Sequence, residues 1–542
     1  MRTQGKAYRK GSGIEGDFDV IVVGSGMGGM GVASALAKNG RKVLLLEQHN
    51  VVGGLAQSFE RNGYRWSVGM HYIGDVASPH TMTRKIFDYA TNDAIEWAHL
   101  PSIFNRMDIG GRQYAIPAGI DAYREALAGW FPDERSAIDR YLELVGEVTR
   151  SSPAYFALKA YPEGQRPAQL QEAAQPFFRL ARRITLDVIG ELTSNAELIA
   201  VLCANWGDYG IEPSRSSFAM HAMLFKHYVN GASYPIGGGE AFADAMVPII
   251  ESAGGLVLHS APVEQILIEG GRVVGVRLGD GSTVTCRTVI SNAGLHATFG
   301  RLVDRQVAQS YGLAEKLEQV RPTGTVVGIH VGLEGSAGEL GLEPANVWSH
   351  PGTDFTANLA AHKSDFSAPF PFCFVTFGSA KDPTWDEKFP GRSTIELHAF
   401  TDYSHFERWE NTRWMKRGAE YDALKEQIME RLLAELYRLV PQVKGKVRHV
   451  ETHTPVSYGT FLRRERGEIL GIEGSPSRYA QEWLGAWTPV PGLFLTGQDV
   501  TNDGMIGALF GGIIAASAVL GKDLVSEIRS REQAVPALTT GE

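Results

Sequence analysis

The sequence predicts an α/β fold. A parallel sheet carries a nucleotide site and is interrupted twice by insertions that build a second, α+β domain. Three observations carry this prediction. Residues 20–46 read as strand, glycine turn, helix, strand. Residues 491–521 read as a short strand followed by an uncharged, glycine-rich helix. Between them lie long helical and β-branched stretches, and 542 residues are too many for one ordinary core.

Val20–Val23 is a continuous apolar run, the pattern of a strand buried on both faces. Gly24, Gly26 and Gly29 follow at G-x-G-x-x-G spacing. Gly24 permits a tight turn, Gly26 lets backbone approach a pyrophosphate, and Gly29 lets helix and strand pack closely. The free N–H groups of the helix start, at Met27 and Gly28, favour phosphate charge. Residues 43–46 form the second strand. Glu47 ends it where an acid accepts hydrogen bonds from an adenosine ribose. A 2′-phosphate would be repelled there, so FAD or NAD fits and NADP does not.

Gly53 and Gly54 move the reading toward flavin. A second glycine pair so soon after the acid resembles the flavin oxidoreductases of the amine oxidase and phytoene desaturase type. In those families this segment runs beneath the pyrophosphate toward the flavin ring. They often carry Arg after the pair, where this chain has Leu55.

Composition sets outer limits. Hydrophobic residues make up 44% and charged residues 21%, as in soluble globular proteins. Net charge is −9, which gives no footprint for nucleic acid. Cys203, Cys286 and Cys373 are scattered, with no metal-ligand or redox spacing, so no metal is predicted and a reducing compartment is expected. Residues 1–17 are polar and glycine-rich and lack the apolar core of a signal peptide. They are expected to be a loose leader, and the location cytoplasmic, peripheral to a membrane at most. Residues 504–521 are uncharged and long enough to pass for a membrane span. Their Gly and Ala content, just after Asp503, predicts instead a buried helix aimed at the cofactor.

Along the chain, residues 58–74 alternate as a strand and end in Gly69, His71, Tyr72, Ile73 and Gly74. Glu47, Gln48, His49, then Gly53, Gly54, Phe59 and Gly63, then this HYIG run, resemble the retinol saturase branch of the phytoene desaturase superfamily. Residues 79–230 read as mostly helical, with a loose loop at 153–176. Residues 176–190 mix Phe177, Leu180 and Ile189 with Arg179, Arg182 and Arg183. That pattern fits a domain helix with solvated arginines, or less often a helix lying on an anionic membrane. Phe218, His221, His227, Tyr228, Gly231, Tyr234, Pro235 and Gly237 to Gly239 match the same branch.

Residues 255–294 read as short strands with hairpin turns at Gly270-Gly271 and Asp280-Gly281. The resemblance places the Val263 backbone against adenine. Strands at 325–333, 372–377 and 394–400 suit an antiparallel sheet roofing a substrate cavity. Residues 421–440 form an amphipathic helix stopped by Pro441. Gly497, Asp499, Gly507 and Ala508 resemble the superfamily's C-terminal flavin motif. There the Asp meets the ribityl or pyrophosphate region, and the helix start faces the flavin ring.

The resemblance therefore implies a Rossmann-type FAD-binding domain from residues 18–75, 232–300 and 485–525. It implies a discontinuous α+β substrate-binding domain from 76–231 and 301–484, and a polar tail over 526–542. It also implies an FAD-dependent oxidoreductase acting on a C=C bond of a lipophilic retinoid or carotenoid, most simply a saturase. A redox-neutral polyene isomerase and a desaturase are alternatives. A non-enzymatic prenyl carrier is disfavoured because the flavin-contacting glycines and acids are present. One dinucleotide motif leaves no second site for a reductant, so an external electron donor is expected. Candidate proton donors are His71, ranked first, then Tyr72, His221, His227, Tyr228 and Tyr234. Arg463, Arg464, Glu465 and Glu468 suggest a charged tunnel mouth suited to a carboxylate-bearing lipid.

Overall fold

The computed structural model describes residues 4–531. Its first sheet has six strands, all parallel, in the order Lys6–Ala7, Leu256–His259, Val43–Leu46, Val20–Val23, Val289–Ser291, Leu493–Leu495. Every residue of Val20–Val23 and Val43–Leu46 is buried, as an unbroken apolar run requires. The helices Met27–Lys38 and Gly504–Leu520 pack on each other. Their small residues allow it: a Cβ on Gly31 would stand 2.5 Å from Leu509 Cδ1, and one on Gly512 2.8 Å from the Gly28 carbonyl oxygen. The uncharged C-terminal stretch is thus a helix of the domain core. Among the described residues no single helix is long and apolar enough to cross a membrane.

The second sheet has seven strands in the order Val447–His453, Thr325–Glu334, Arg392–Thr401, Cys373–Thr376, Asn346–His350, Ile103–Ile109, Arg112–Pro117. Its pairs are antiparallel except Asn346–His350 with Ile103–Ile109. Alternation sorts the side chains. Val327, Ile329, Val331, Ile395 and Leu397 pack beneath Ile428, Leu432 and Leu436 of the Ala419–Leu439 helix. The opposite face carries His330, Glu396 and His398, with Phe400 farther along the same strand and Phe374 opposite His398. Those two phenylalanines join a helical core built on Arg135–Leu158 and Phe218–Tyr228.

Several expectations are corrected. The 1–17 leader is not loose where it is described: Lys6–Ala7 extends the first sheet and Tyr8 is buried. Residues 103–117 are a β-hairpin, not helix. The Arg135–Leu158 helix runs through Pro153, so the 153–176 loop shrinks, and Ala168–Ala173 is helical. Residues 176–190 are not one helix but parts of two, Gln175–Ala181 and Thr185–Gly190. They bury Phe177, Leu180 and Ile189 and pair Arg179 with Glu147 and Arg183 with Glu191. The Met82–Thr91 helix, assigned to the second domain, buries Ile86 and Phe87 in the core of the first. The tail begins as a packed helix, Leu524–Ser530, with Leu524 and Ile528 buried; its remainder from residue 532 lies outside the described residues.

Candidate active site: a glycine-floored cleft and a histidine-rich sheet face

A long cleft runs over the C-terminal ends of the central parallel strands. Gly24, Gly26, Met27, Gly28, Glu47, Gln48, Gly53, Gly54, Leu55, Val263, Gly497, Asp499 and Ala508 all line it. Gly29 and Gly507 do not: each is a packing position, where a Cβ would lie 1.9 Å from the carbonyl oxygen of Gly24 or Asn502 respectively. The floor admits no side chains. A Cβ on Gly28 would stand 2.5 Å from Gly497 Cα, and one on Gly54 2.9 Å from Gly26 Cα. Two helices present starts without a side-chain cap to this cleft, Met27–Lys38 behind Gly26 and Gly504–Leu520 behind Asp503. Their free N–H groups and dipoles suit an anion at one end and an electron-rich ring edge at the other. A dinucleotide with a pyrophosphate in its middle fits this floor.

The acids at the cleft also hold its walls. Glu47 is buried and accepts from Ser25 N at 2.9 Å, Ser25 Oγ at 2.6 Å and His49 N at 2.8 Å. Asp499 accepts from Leu295 N at 2.8 Å and Ile472 N at 3.0 Å, tying three separated segments together. Behind them, buried Arg478 reaches Asp503 at 2.8 Å and donates to the carbonyls of Ile472, Gln498 and Thr501. This clamp fixes the loop that launches the Gly504–Leu520 helix.

The sequence did not point to Asn292 or Arg301 as residues of this cleft, and it placed Arg464 at a lipid-tunnel mouth instead. Asn292 lines it, with its side-chain oxygen 2.6 Å from where a Gly497 Cβ would be. Arg301 and Arg464 supply the cationic lining that Leu55 does not. This corrects the idea of a charged lipid-tunnel mouth. Arg464 pairs with Glu468 at 2.7 Å against the cleft, and Arg463 with Glu264 at 2.9 Å. No local pattern marks these residues; they arrive from distant segments.

The inner sheet face gathers ionisable groups. His330 lies opposite both Glu396 and Glu451, and Gly328 opposite both His398 and His453. His71, on the segment after the glycine pair, meets Glu396 with Nδ1 at 3.1 Å from the carboxylate and packs its ring 4.9 Å from His398. Lys381 donates to the His71 carbonyl at 2.9 Å. Burial pushes His71 to about 3, helped by the Lys381 charge, and raises Glu396 to about 7. Ring nitrogens of His71 and His398 and a Glu396 oxygen lie within 4.8 Å of one another, a grouping able to hold a metal ion that linear spacing could not show. The His71–Glu396 contact and the neighbouring Lys381 make it a hydrogen-bonded network as it stands.

Tyr72 donates to Asp208 at 2.8 Å and stacks on Tyr228 at 4.4 Å, so His71, Tyr72 and Tyr228 form one buried run. Burial raises Asp208 to about 7. His221 stands apart from it, and His227 packs edge-on against Tyr228, with ring centroids 4.6 Å apart. His221 bonds Tyr141 at 2.7 Å inside the helical core, and His227 Nε2 accepts from Gly74 N at 3.0 Å. Each is a hydrogen-bonded packing residue. Tyr234 is buried in the core of the first domain.

A second cavity, of about 1070 Å³, adjoins the cleft and shares Gln48 and Leu462 with it. Phe59, Val68, Tyr458 and Phe461 wall it, His330 and His453 line it, and Trp414 and Met415 stand at its outer lip. Its size is at the upper end of small-molecule sites, roughly 300–1,000 Å³.

Comparison with known proteins agrees with this geometry. The profile of the flavin containing amine oxidoreductases matches residues 27–520. All-trans-retinol 13,14-reductase of Danio rerio is 36% identical over 95% of this chain and 88% of its own. Prolycopene isomerase 2 of an Oncidium hybrid cultivar is 25% identical over 93% of this chain and 84% of its own. The structure of cyclohexylamine oxidase from Brevibacterium oxydans, 15% identical, superimposes with a TM-score of 0.58 over 95% of this chain and 99% of that one, which shows the fold. The chain belongs to the flavin-containing amine oxidoreductases, among the relatives of the all-trans-retinol 13,14-reductases, and its cofactor is FAD.

Proposed function

We propose that this FAD-dependent oxidoreductase saturates one C=C bond of a retinoid. The observation that carries the reading is the adjoining of two spaces: a cofactor cleft, and an aromatic-walled cavity large enough for a conjugated isoprenoid. The 36% identity to a protein named for reducing the 13,14 bond of all-trans-retinol supports the substrate class. Bound and reduced, FAD supplies hydride. The chain's own part is to hold the polyene, exclude water and keep a proton ready. Glu396 is the proton store, because burial leaves it protonated up to about pH 7. His71 stays neutral and positions it, which revises the ranking of His71 as the donor. Reducing equivalents come from an external donor.

Trp414 is 49% and Met415 80% exposed at the cavity's lip, between Arg413 and Lys416. We infer that this loop meets a membrane surface and admits the lipid from it.

An anaerobic half-reaction tests the reading. The bound flavin is reduced, all-trans-retinol is added, and flavin and polyene absorbance are followed together. Flavin reoxidation with loss of polyene absorbance, and a product heavier by two hydrogens, is expected. The Oncidium relative favours a second reading, isomerisation, for which product mass is unchanged and the flavin stays reduced.

A further inference from the structure

The inner end of the second cavity is polar in a way its walls do not require. Nδ1 of His330 and both ring nitrogens of His453 are buried, and among the described residues none of them has a hydrogen-bond partner. Both side chains line the cavity, and their rings lie 5.1 Å apart. Native interiors seldom leave such groups unpaired, since each costs about 1–3 kcal/mol. The backbone makes room for one of them: a Cβ on Gly328 would stand 2.3 Å from His453 Cε1, so only glycine seats that ring. The rest of the lining mixes aromatic and aliphatic side chains with polar ones such as Asn50, Gln57 and Ser58. The ionised groups around the cavity balance, with Arg61, Arg417 and Lys425 against Glu60, Asp422 and Glu451.

We propose that His330 and His453 form a binding site for an uncharged hydroxyl at the end of the lipid substrate. A hydroxyl both donates and accepts, which matches two neutral imidazoles, each able to present one N–H and one lone pair. Burial keeps both rings neutral: it pushes His330 to about 3 and holds His453 well below the usual histidine value. Neither ring therefore offers a cation to a carboxylate, and the balanced surroundings offer no net one. The inference rests on the retinoid reading and deepens it. In retinol the 13,14 bond is the double bond nearest the carbinol carbon. Holding the hydroxyl at these rings would therefore hold that bond at the same end of the cavity, beside the strand residue Glu396 opposite His330. Regiochemistry would follow from where the polar end is seated.

The test is equilibrium binding to the oxidised holoenzyme, in which no turnover occurs. The probes are all-trans-retinol, its deoxy hydrocarbon and all-trans-retinoic acid, followed by quenching of protein fluorescence. We expect His330→Phe and His453→Phe each to weaken retinol about tenfold, the size of one lost hydrogen bond. Affinity for the hydrocarbon should hold, and His453→Asn should recover part of the retinol loss. Equal weakening of alcohol and hydrocarbon would make the rings mere wall and overturn the proposal. So would unchanged retinol binding in both variants, tighter binding of the acid than of the alcohol, or no retinoid binding by the wild-type protein. Histidine-dependent retinol binding without saturation in the half-reaction would uphold this site and refute the saturase reading alone.

Discussion

Glu396 shows how one residue's environment assigns its chemistry. It sits on a strand whose odd-numbered neighbours Ile395 and Leu397 face the covering helix, so its carboxyl is turned into the dry side of the sheet. Ser67 N donates to it at 2.9 Å and His71 meets it at 3.1 Å, but burial outweighs the lowering by His330, Ser67 and Lys381 and lifts it to about 7. A carboxyl with a raised value is protonated below that value, so its use as an acid should fade as pH rises through about 7. We expect flavin reoxidation by retinol to fall along that limb. Glu396→Gln keeps an acceptor for Ser67 but has no proton to give. It should slow reoxidation by about 10²–10⁴-fold and flatten the limb, with bound FAD retained. Full rate and an unchanged pH profile in Glu396→Gln would remove Glu396 from the mechanism. In stability the sign is opposite to that of an ordinary salt-bridged acid: protonated Glu396 contributes stability at low pH that is lost as pH rises from the ordinary glutamate range to about 7, with no further change above it.

Elements that hold the cofactor cleft were legible in proportion to how local their signal is. The strand–turn–helix–strand unit is encoded by consecutive residues, and Val20–Val23, Met27–Lys38 and Val43–Leu46 all form where the pattern places them. The 103–117 hairpin was also legible, since alternation on both sides of Gly110-Gly111 is a strand signal; a helical reading of the whole region hid it. The histidine face was half-written in the alternation of residues 325–334 and 392–401, where polar residues share one side. What no strand states alone is the register that sets His330 opposite Glu396. The Arg478 clamp had no local signal at all. Arg478 and Asp503 are 2% and 3% exposed, and three carbonyls share the guanidinium. Arg478→Met should cost about 3–5 kcal/mol by leaving Asp503 buried and unpaired. Burial already raises Asp503 to about 7, so the variant should recover part of its stability as pH falls and that carboxyl takes up a proton. Adding Asp503→Asn should recover most of the loss at pH 8, and FAD content should track stability. An Arg478→Met protein as stable as wild type at pH 8 would show the clamp to be dispensable.

At the scale of the molecule, cofactor and lipid ask for opposite surroundings. The polar half of FAD would be held by helix N–H groups at the C-terminal ends of the strands, whereas a polyene needs a dry, aromatic space. The cleft and the adjoining cavity offer both, and on the proposed reading the lip decides how the lipid arrives. The chain carries a net charge of −9, so an anionic bilayer repels it at long range. The proposed contact is the lip, where Trp414 and Met415 project between Arg413 and Lys416. Apolar insertion and local cations then act together, and salt weakens the local attraction and the global repulsion alike. Flotation with phosphatidylcholine vesicles containing phosphatidylserine should therefore show binding that changes only mildly with ionic strength. Trp414→Ala with Met415→Ala should reduce it by about tenfold or more, with FAD content unchanged as the check on folding. A steep loss with salt in the wild type would point to charge alone, and equal flotation of the double variant would move the contact to another face.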